Sequence, residues 1–172
     1  MHRNVRQVVE AGKALGVDVH AREFAQSTRT AADAAEAIGV ELGQIVKSLV
    51  FGVGDDPAAD PEEGIGALSG GEIVVALVCG DNLLDERKLA AAAGAADAWR
   101  EDADTVRETT GYPVGGVPPF GHREPLRVFV DEDLLDYDEV WAAAGTPHVN
   151  FPITPNALIR ATGGTVCDLA RR

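Results

Sequence analysis

The sequence predicts an α/β chain of the α+β type: a mixed, largely antiparallel sheet with flanking helices. Three observations predict it. Two runs of strand-type residues, "QIVKSLVF" (44–51) and "EIVVALVC" (72–79), are separated by one Gly/Pro-rich stretch, as in a hairpin. Helical segments with recognisable start and stop residues alternate with the strands. Several strand pairs are joined too briefly for parallel crossovers, which disfavours a doubly wound sheet.

Taken in order, Val5, Val8, Val9 and Leu15 recur at helical spacing and predict an amphipathic helix ending near Gly16. "VDVHARE" alternates Val17, Val19 and Ala21, a short strand. "TAADAAEAIG" is a second helix between an N-cap Thr30 and a terminal Gly39, and Ser27 and Thr28 before it read as capping residues. The strand Ile45–Val53 follows. Residues 54–71, "GDDPAADPEEGIGALSGG", carry too much Gly, Pro and acid to pack, so they read as a mobile acidic insertion between two antiparallel strands. Asp85 caps the next helix, with Leu84 and Leu89 at staple positions and Gly94 as its stop. A helix ending at Gly111, a strand "LRVFVD" and a strand "EVWAAAG" come next. Thr154 and Pro155 open a helix that ends the chain. The expectation is one domain over residues 1–172.

Composition narrows the function. Apolar residues are 45% and charged residues 25%, as in ordinary globular proteins. No apolar run approaches the ~20 residues that span a bilayer, and the N-terminus has no secretory core, so a cytoplasmic location is expected. Acidic residues outnumber basic ones by 28 to 15, a net charge of −13 that disfavours a nucleic-acid partner on charge alone. The basic residues include only three lysines: Lys13, Lys47 and Lys88. Cys79 and Cys167, with four scattered His, have no metal-ligand spacing, so neither a metal nor another cofactor is expected. Cys79 reads as a core residue.

Two features stand out against this background. Lys47 lies inside an apolar strand, where a lysine is either an edge gatekeeper with a snorkelling stem or a fixed cation in a pocket. "GYPVGGVPPFGH" (111–122) holds four Gly and three Pro in twelve residues, and such a segment continues neither a helix nor a central strand. It is either a stiff connection or a preformed rim whose N–H groups bind a carbonyl or phosphate oxygen. It matches neither the Walker A nor the GxGxxG spacing.

Together, "IVKSLVF", "GDNLLDERKLAAAAG", "TGYPVGGVPPFGH" and "VFVDEDLLDYDEVWAAAG" resemble the YbaK family, free-standing relatives of the editing domain inserted in bacterial prolyl-tRNA synthetases. The resemblance runs from about residue 25 to the C-terminus. It implies an α/β domain that hydrolyses the ester of mischarged aminoacyl-tRNA in trans, with the tRNA 3′-aminoacyl end as substrate and prolyl-tRNA synthetase as a candidate partner. By position it implies Lys47 as the functional lysine and Gly115 to Pro119 as the Gly-x-x-x-Pro loop. Lys47 and Gly115 are the catalytic candidates; Ser48, Gly116, Val117, Pro118, Pro119 and His148 are the substrate-binding candidates. Pro118 stands where relatives often carry a small polar residue, which removes a hydroxyl donor.

An aminoacyl ester is already activated, so the protein must stabilise the oxyanion and fix the terminal adenosine. No GxSxG elbow or Cys–His motif supplies an enzyme nucleophile, so water or the substrate's own side chain attacks. For a cysteinyl ester the thiol is already beside its carbonyl, which favours Cys-tRNA(Pro) first and Ala-tRNA(Pro) next. Ideal alternation turns Ser48 away from Lys47, so the two share a pocket only where the strand twists. His148 reads either as a pocket residue or as a surface histidine. The alternative is a non-catalytic module on the same fold that binds a nucleotide, the tRNA end or a synthetase.

Overall fold

The computed structural model describes residues 1–55 and 71–172. Five α-helices and eight strands form two sheets among the described residues. The helices are α1 (Arg3–Ala14), α2 (Ala31–Ile38), α3 (Glu86–Ala93), α4 (Ala103–Thr110) and α5 (Pro155–Thr162). Their ends follow the local chemistry read from the sequence. Thr30, Asp85 and Thr154 accept backbone N–H bonds at the starts of α2, α3 and α5. Gly39, Gly94 and Gly111 close α2, α3 and α4 in left-handed conformation.

The larger sheet runs β4-β2-β3-β5-β8, comprising Asp97–Arg100, Val46–Gly54, Gly71–Cys79, Arg127–Asp131 and Thr165–Cys167. β2 and β3 pair antiparallel from Val46↔Cys79 to Gly54↔Gly71, as the hairpin reading requires. β4 joins β2 antiparallel, whereas β3–β5 and β5–β8 are parallel. The smaller sheet is antiparallel, ordered β1-β7-β6 from Arg22–Glu23, Val149–Ile153 and Val140–Ala143. Among the described residues, one parallel bridge, Ile45↔Trp141, ties the two together. The mixed, mostly antiparallel class is therefore observed, split over two sheets.

Alternation along β3 and β5 divides the core. Val75, Leu77, Val128 and Val130 pack on one face with α1 and the smaller sheet. Val74, Ala76, Val78 and Phe129 pack on the other with Leu89 and Ala90 of α3. Leu77 and Leu89 are fully buried, and burying such a side chain stabilises by about 1.5–3 kcal/mol.

Two sequence expectations need correction, and one strand has no counterpart in the sequence reading. Residues 17–21 form no strand; the pairing is confined to Arg22–Glu23, although Val19 is still buried. Asp97–Arg100 is a strand because its backbone finds the open half of β2, a non-local partner that short periodicity does not reveal. The chain does not end on α5: Thr165–Cys167 adds an edge strand beside β5. The acidic stretch 54–71 lies, apart from its ends, outside the described residues. No helix among the described residues is long and apolar enough to cross a membrane.

Candidate active site at the open edge of the lysine strand

β4 pairs with β2 only from Phe51 onward, and β6 touches the chain at Ile45. Between these contacts the outer edge of residues 46–49 has no strand partner among the described residues. A cavity of about 260 Å³ opens there. Lys47 and Ser48 line it from the strand, and Val114, Gly115 and Val117 from the Gly/Pro loop. Thr28 and Arg29 close it beside the start of α2, and Asn150 of β7 completes the wall. A smaller hollow of about 60 Å³ continues past Ser48 and Gly115 to Arg100 and Glu101. Lys47 stands opposite Val78 and Ser48 opposite Leu77, on the two faces of the sheet, and both residues line the cavity at this open edge.

Lys47 is half-buried, and its Nζ donates to the backbone carbonyl of Asn82. Burial pulls its amine below the ordinary lysine range. Cys79, Asp131 and Asp81 oppose that shift, and Arg100 adds to it. The Cys79 thiol is itself pushed up to about 12, mainly by burial and by its hydrogen bond to Asp81. It is therefore neutral near pH 7, and the carboxylates are the partners that matter there. Ser48 Oγ is buried without a hydrogen-bond partner among the described residues.

The loop divides at Val117. Gly115 adopts φ +86°, which a side chain rarely tolerates. The Gly116 N–H donates to Pro113 at 2.9 Å, and the Gly116 carbonyl accepts from Gly145 at 2.9 Å. Gly115 and Val117 line the cavity, and their N–H groups have no acceptor among the described residues. After Val117 the chain turns inward.

Four of the sequence candidates fall outside this cavity. Gly116 is packed against the backbone of Thr146, where even a Cβ would sit 2.9 Å from the chain. Pro118 is buried, with its carbonyl bonded to His122 Nε2 at 2.7 Å. Pro119 faces a separate hollow with Phe120 and His122. His148 precedes β7 in a turn, is exposed, and points its Nδ1 to the Gln26 carbonyl at 3.3 Å. It borders another depression with His2 and Glu23.

Two residues missed as ligands line the cavity instead. Thr28 does not cap α2, a role that Thr30 takes. Its Oγ1 donates to the Pro147 carbonyl at 2.8 Å and accepts from Asn150 Nδ2 at 2.6 Å. Both side chains are buried, Thr28 5% and Asn150 4% exposed. The available signal was Asn150 itself, an amide set between Val149 and Phe151 in a strand that is apolar elsewhere. Among the described residues, no group of three or more His, Cys, Asp or Glu is placed to hold a metal ion.

An open strand edge whose half-buried lysine lines one cavity with a glycine bend is an arrangement suited to holding an ester and its developing oxyanion. Comparison with known proteins gives the arrangement a family. Residues 25–161 match the family described as Aminoacyl-tRNA editing domain, and the chain belongs to that family, in its YbaK-like branch of aminoacyl-tRNA deacylases. A protein of Enterococcus faecalis, provisionally named Cys-tRNA(Pro)/Cys-tRNA(Cys) deacylase EbsC, is 28% identical over 98% of this chain and 93% of its own length. A proline–tRNA ligase of Maridesulfovibrio salexigens is 32% identical over 70% of this chain, a segment that makes up 18% of the ligase. A crystal structure described provisionally as a trans-editing enzyme for prolyl tRNA synthetase superposes with TM-score 0.84 and 42% identity, covering 100% of this chain and 99% of that one.

Proposed function

We propose that the protein removes a small amino acid from mischarged tRNA(Pro) in trans, with Cys-tRNA(Pro) as leading substrate and Ala-tRNA(Pro) next. The observation that carries this reading is that Lys47 and Gly115, sixty-eight positions apart in sequence, line the same cavity. Its volume of about 260 Å³ falls below the ~300–1,000 Å³ of clefts for drug-sized ligands, which suits a short aminoacyl end.

In this reading the N–H groups of Gly115 and Val117 donate to the carbonyl oxygen as it gains charge. Loss of one such donor typically lowers rate by about 10²–10³. Lys47 supplies a fixed cation for the ribose, the terminal phosphate or the carbonyl. Ser48 Oγ, Thr28 and Asn150 offer polar contacts to the amino acid. With a cysteinyl ester the substrate's sulfur attacks its own carbonyl carbon. The C–S bond forms and the ester C–O bond breaks, the thiol proton leaves to solvent and the ribose oxygen departs with a proton, leaving a four-membered thiolactone whose C–S bond water then opens to give free cysteine. With an alanyl ester a water molecule attacks in its place.

The test is a deacylation screen of Cys-, Ala- and Ser-charged tRNA(Pro) with the parent protein, Lys47→Ala and His148→Ala. Release by the parent, its loss in folded Lys47→Ala and its retention in His148→Ala are expected. A Lys47→Ala protein as fast as the parent refutes the assigned centre, and binding of an aminoacyl-adenosine mimic with no release from any charged tRNA favours a non-catalytic module. Participation of prolyl-tRNA synthetase is checked by adding the synthetase to the same assay.

A further inference from the structure

Behind the lysine lies a buried carboxylate that this mechanism does not use. Asp131, at the end of β5, has 0% exposure. Its Oδ2 accepts from the Cys79 N–H at 3.0 Å and from Asn82 Nδ2 at 2.9 Å, and its Oδ1 accepts from the Asp133 N–H at 3.1 Å. Asn82 closes the turn after β3, its N–H donating to the Cys79 carbonyl at 2.9 Å. Its side-chain amide also donates to Asp133 Oδ2 at 2.7 Å. The carbonyl of this same Asn82 accepts the bond from Lys47 Nζ. Two further contacts hold the turn: Cys79 Sγ reaches the Gly43 carbonyl at 3.0 Å, and Gly80 packs where a Cβ would lie 2.2 Å from the Leu42 carbonyl oxygen.

We propose that Asp131 is a positioning residue for the editing reaction: through Asn82 it fixes the backbone carbonyl that holds the amine of Lys47, a residue that lines the cavity. A carboxylate buried among three donors is a rigid anchor, because moving it would strand all three N–H groups without acceptors. The turn cannot drift while Asn82 is tied to it, so the acceptor for Nζ cannot drift either. The charged and titratable groups facing Lys47 are Cys79 of β3, Asp81 of the turn, Asp131 of β5 and Arg100 of β4. Removal of the Asp131 charge takes away one of the two carboxylates that favour the ammonium, with Asp81 left. The inference rests on the proposed role of Lys47 in the reaction.

Three lysines make the test direct. Lysine labelled with ¹³C at Cε gives one signal each for Lys13, Lys47 and Lys88, and Lys47→Arg identifies the second. In Asp131→Asn the Lys47 signal is expected to titrate at lower pH than in the parent, with kcat down about tenfold and KM little changed, the loss typical of removing a group that orients a working residue. A folded Asp131→Asn protein whose Lys47 signal titrates as in the parent overturns the proposal. If that variant does not fold, Asn82→Ala replaces it: release of the amine toward solvent should move its titration up toward the ordinary lysine range and lower kcat. An unmoved signal there overturns the proposal as well. A Lys47→Ala protein that deacylates at the parent rate sinks the role of the lysine, whereas the upward shift in Asn82→Ala together with the fall in kcat of Asp131→Asn decides whether Asp131 positions it.

Discussion

Gly115 lies directly beneath the side chain of Arg29: a Cβ at Gly115 would fall 2.5 Å from Arg29 Cγ. The glycine is thus required twice, once by its φ of +86° and once by the arginine stem that closes the cavity over it. Gly115→Ala should destabilise the protein by about 1–2 kcal/mol from the left-handed backbone alone. It should also lower deacylation by more than the stability loss explains, since it displaces the amides of Gly115 and Val117. Denaturant unfolding and single-turnover rates measure the two effects. Arg29→Ala in the same chain relieves the contact but not the backbone strain, so stability should return only in part. Full recovery in the double variant would show that the backbone term is absent.

Ser48 offers the opposite signature. A buried hydroxyl without a partner typically costs about 1–3 kcal/mol, so Ser48→Ala should leave stability unchanged or raise it. The same variant should lose affinity for the aminoacyl end, seen as a KM increase of about tenfold, the size of one neutral hydrogen bond. A stability loss, or unaltered kinetics, would place the hydroxyl outside substrate binding.

These two residues mark how far the sequence could be read. The helix caps at Thr30, Asp85 and Thr154 and the terminating glycines are local features, set by residues a few positions apart, and the β2–β3 hairpin joins two successive runs of strand-type residues. They were legible. The Lys47 strand and the Gly/Pro loop were legible as unusual segments, because a lysine in an apolar strand and seven Gly or Pro in twelve residues break ordinary patterns. What could not be read was non-local. β4 and β8 are strands only because β2 and β5 offer them edges. Thr28 and Asn150 are 122 positions apart and meet only through the fold of the smaller sheet. The loop's five-residue core reads as one unit in sequence, yet the bend at Gly115 sends Val117 to the cavity and Pro118 into the interior.

Burial of Lys47 has a sign that proton linkage fixes. The folded state holds its amine below the 10.5 of an ordinary lysine, so between the two values the unfolded chain binds more protons. Its contribution to stability therefore rises with pH across that interval. Activity that uses the ammonium runs the other way and falls as pH climbs through the depressed value, after spontaneous ester hydrolysis is subtracted. Cys79, Tyr112 and Tyr137, raised mainly by burial, lose stability in the alkaline range, so the quantity to measure is the difference between the parent and Lys47→Met. That difference in unfolding free energy should shift in favour of the parent from neutral pH toward 10.5. A difference that stays flat would mean that the amine titrates as in the unfolded chain.

The charge balance makes the last prediction. The protein carries a net charge of −13, whereas its substrate is a dense polyanion, so long-range repulsion opposes encounter. Arg29 and Lys47 line the cavity and Arg100 borders its extension, a cationic cluster whose attraction acts over a single contact. Salt separates the two ranges. The Debye length shrinks from about 10 Å at 0.1 M to about 3 Å at 1 M, which removes repulsion between distant surfaces while leaving direct contacts largely intact. Deacylation kcat/KM should therefore rise several-fold over that salt interval. Ordinary tRNA binders lose affinity steeply instead, because added salt opposes the release of counterions from each phosphate contact. A steep fall in kcat/KM here would mean that a broad basic footprint governs binding despite the acidic total, and Arg29→Gln would then flatten the salt slope by about one contact.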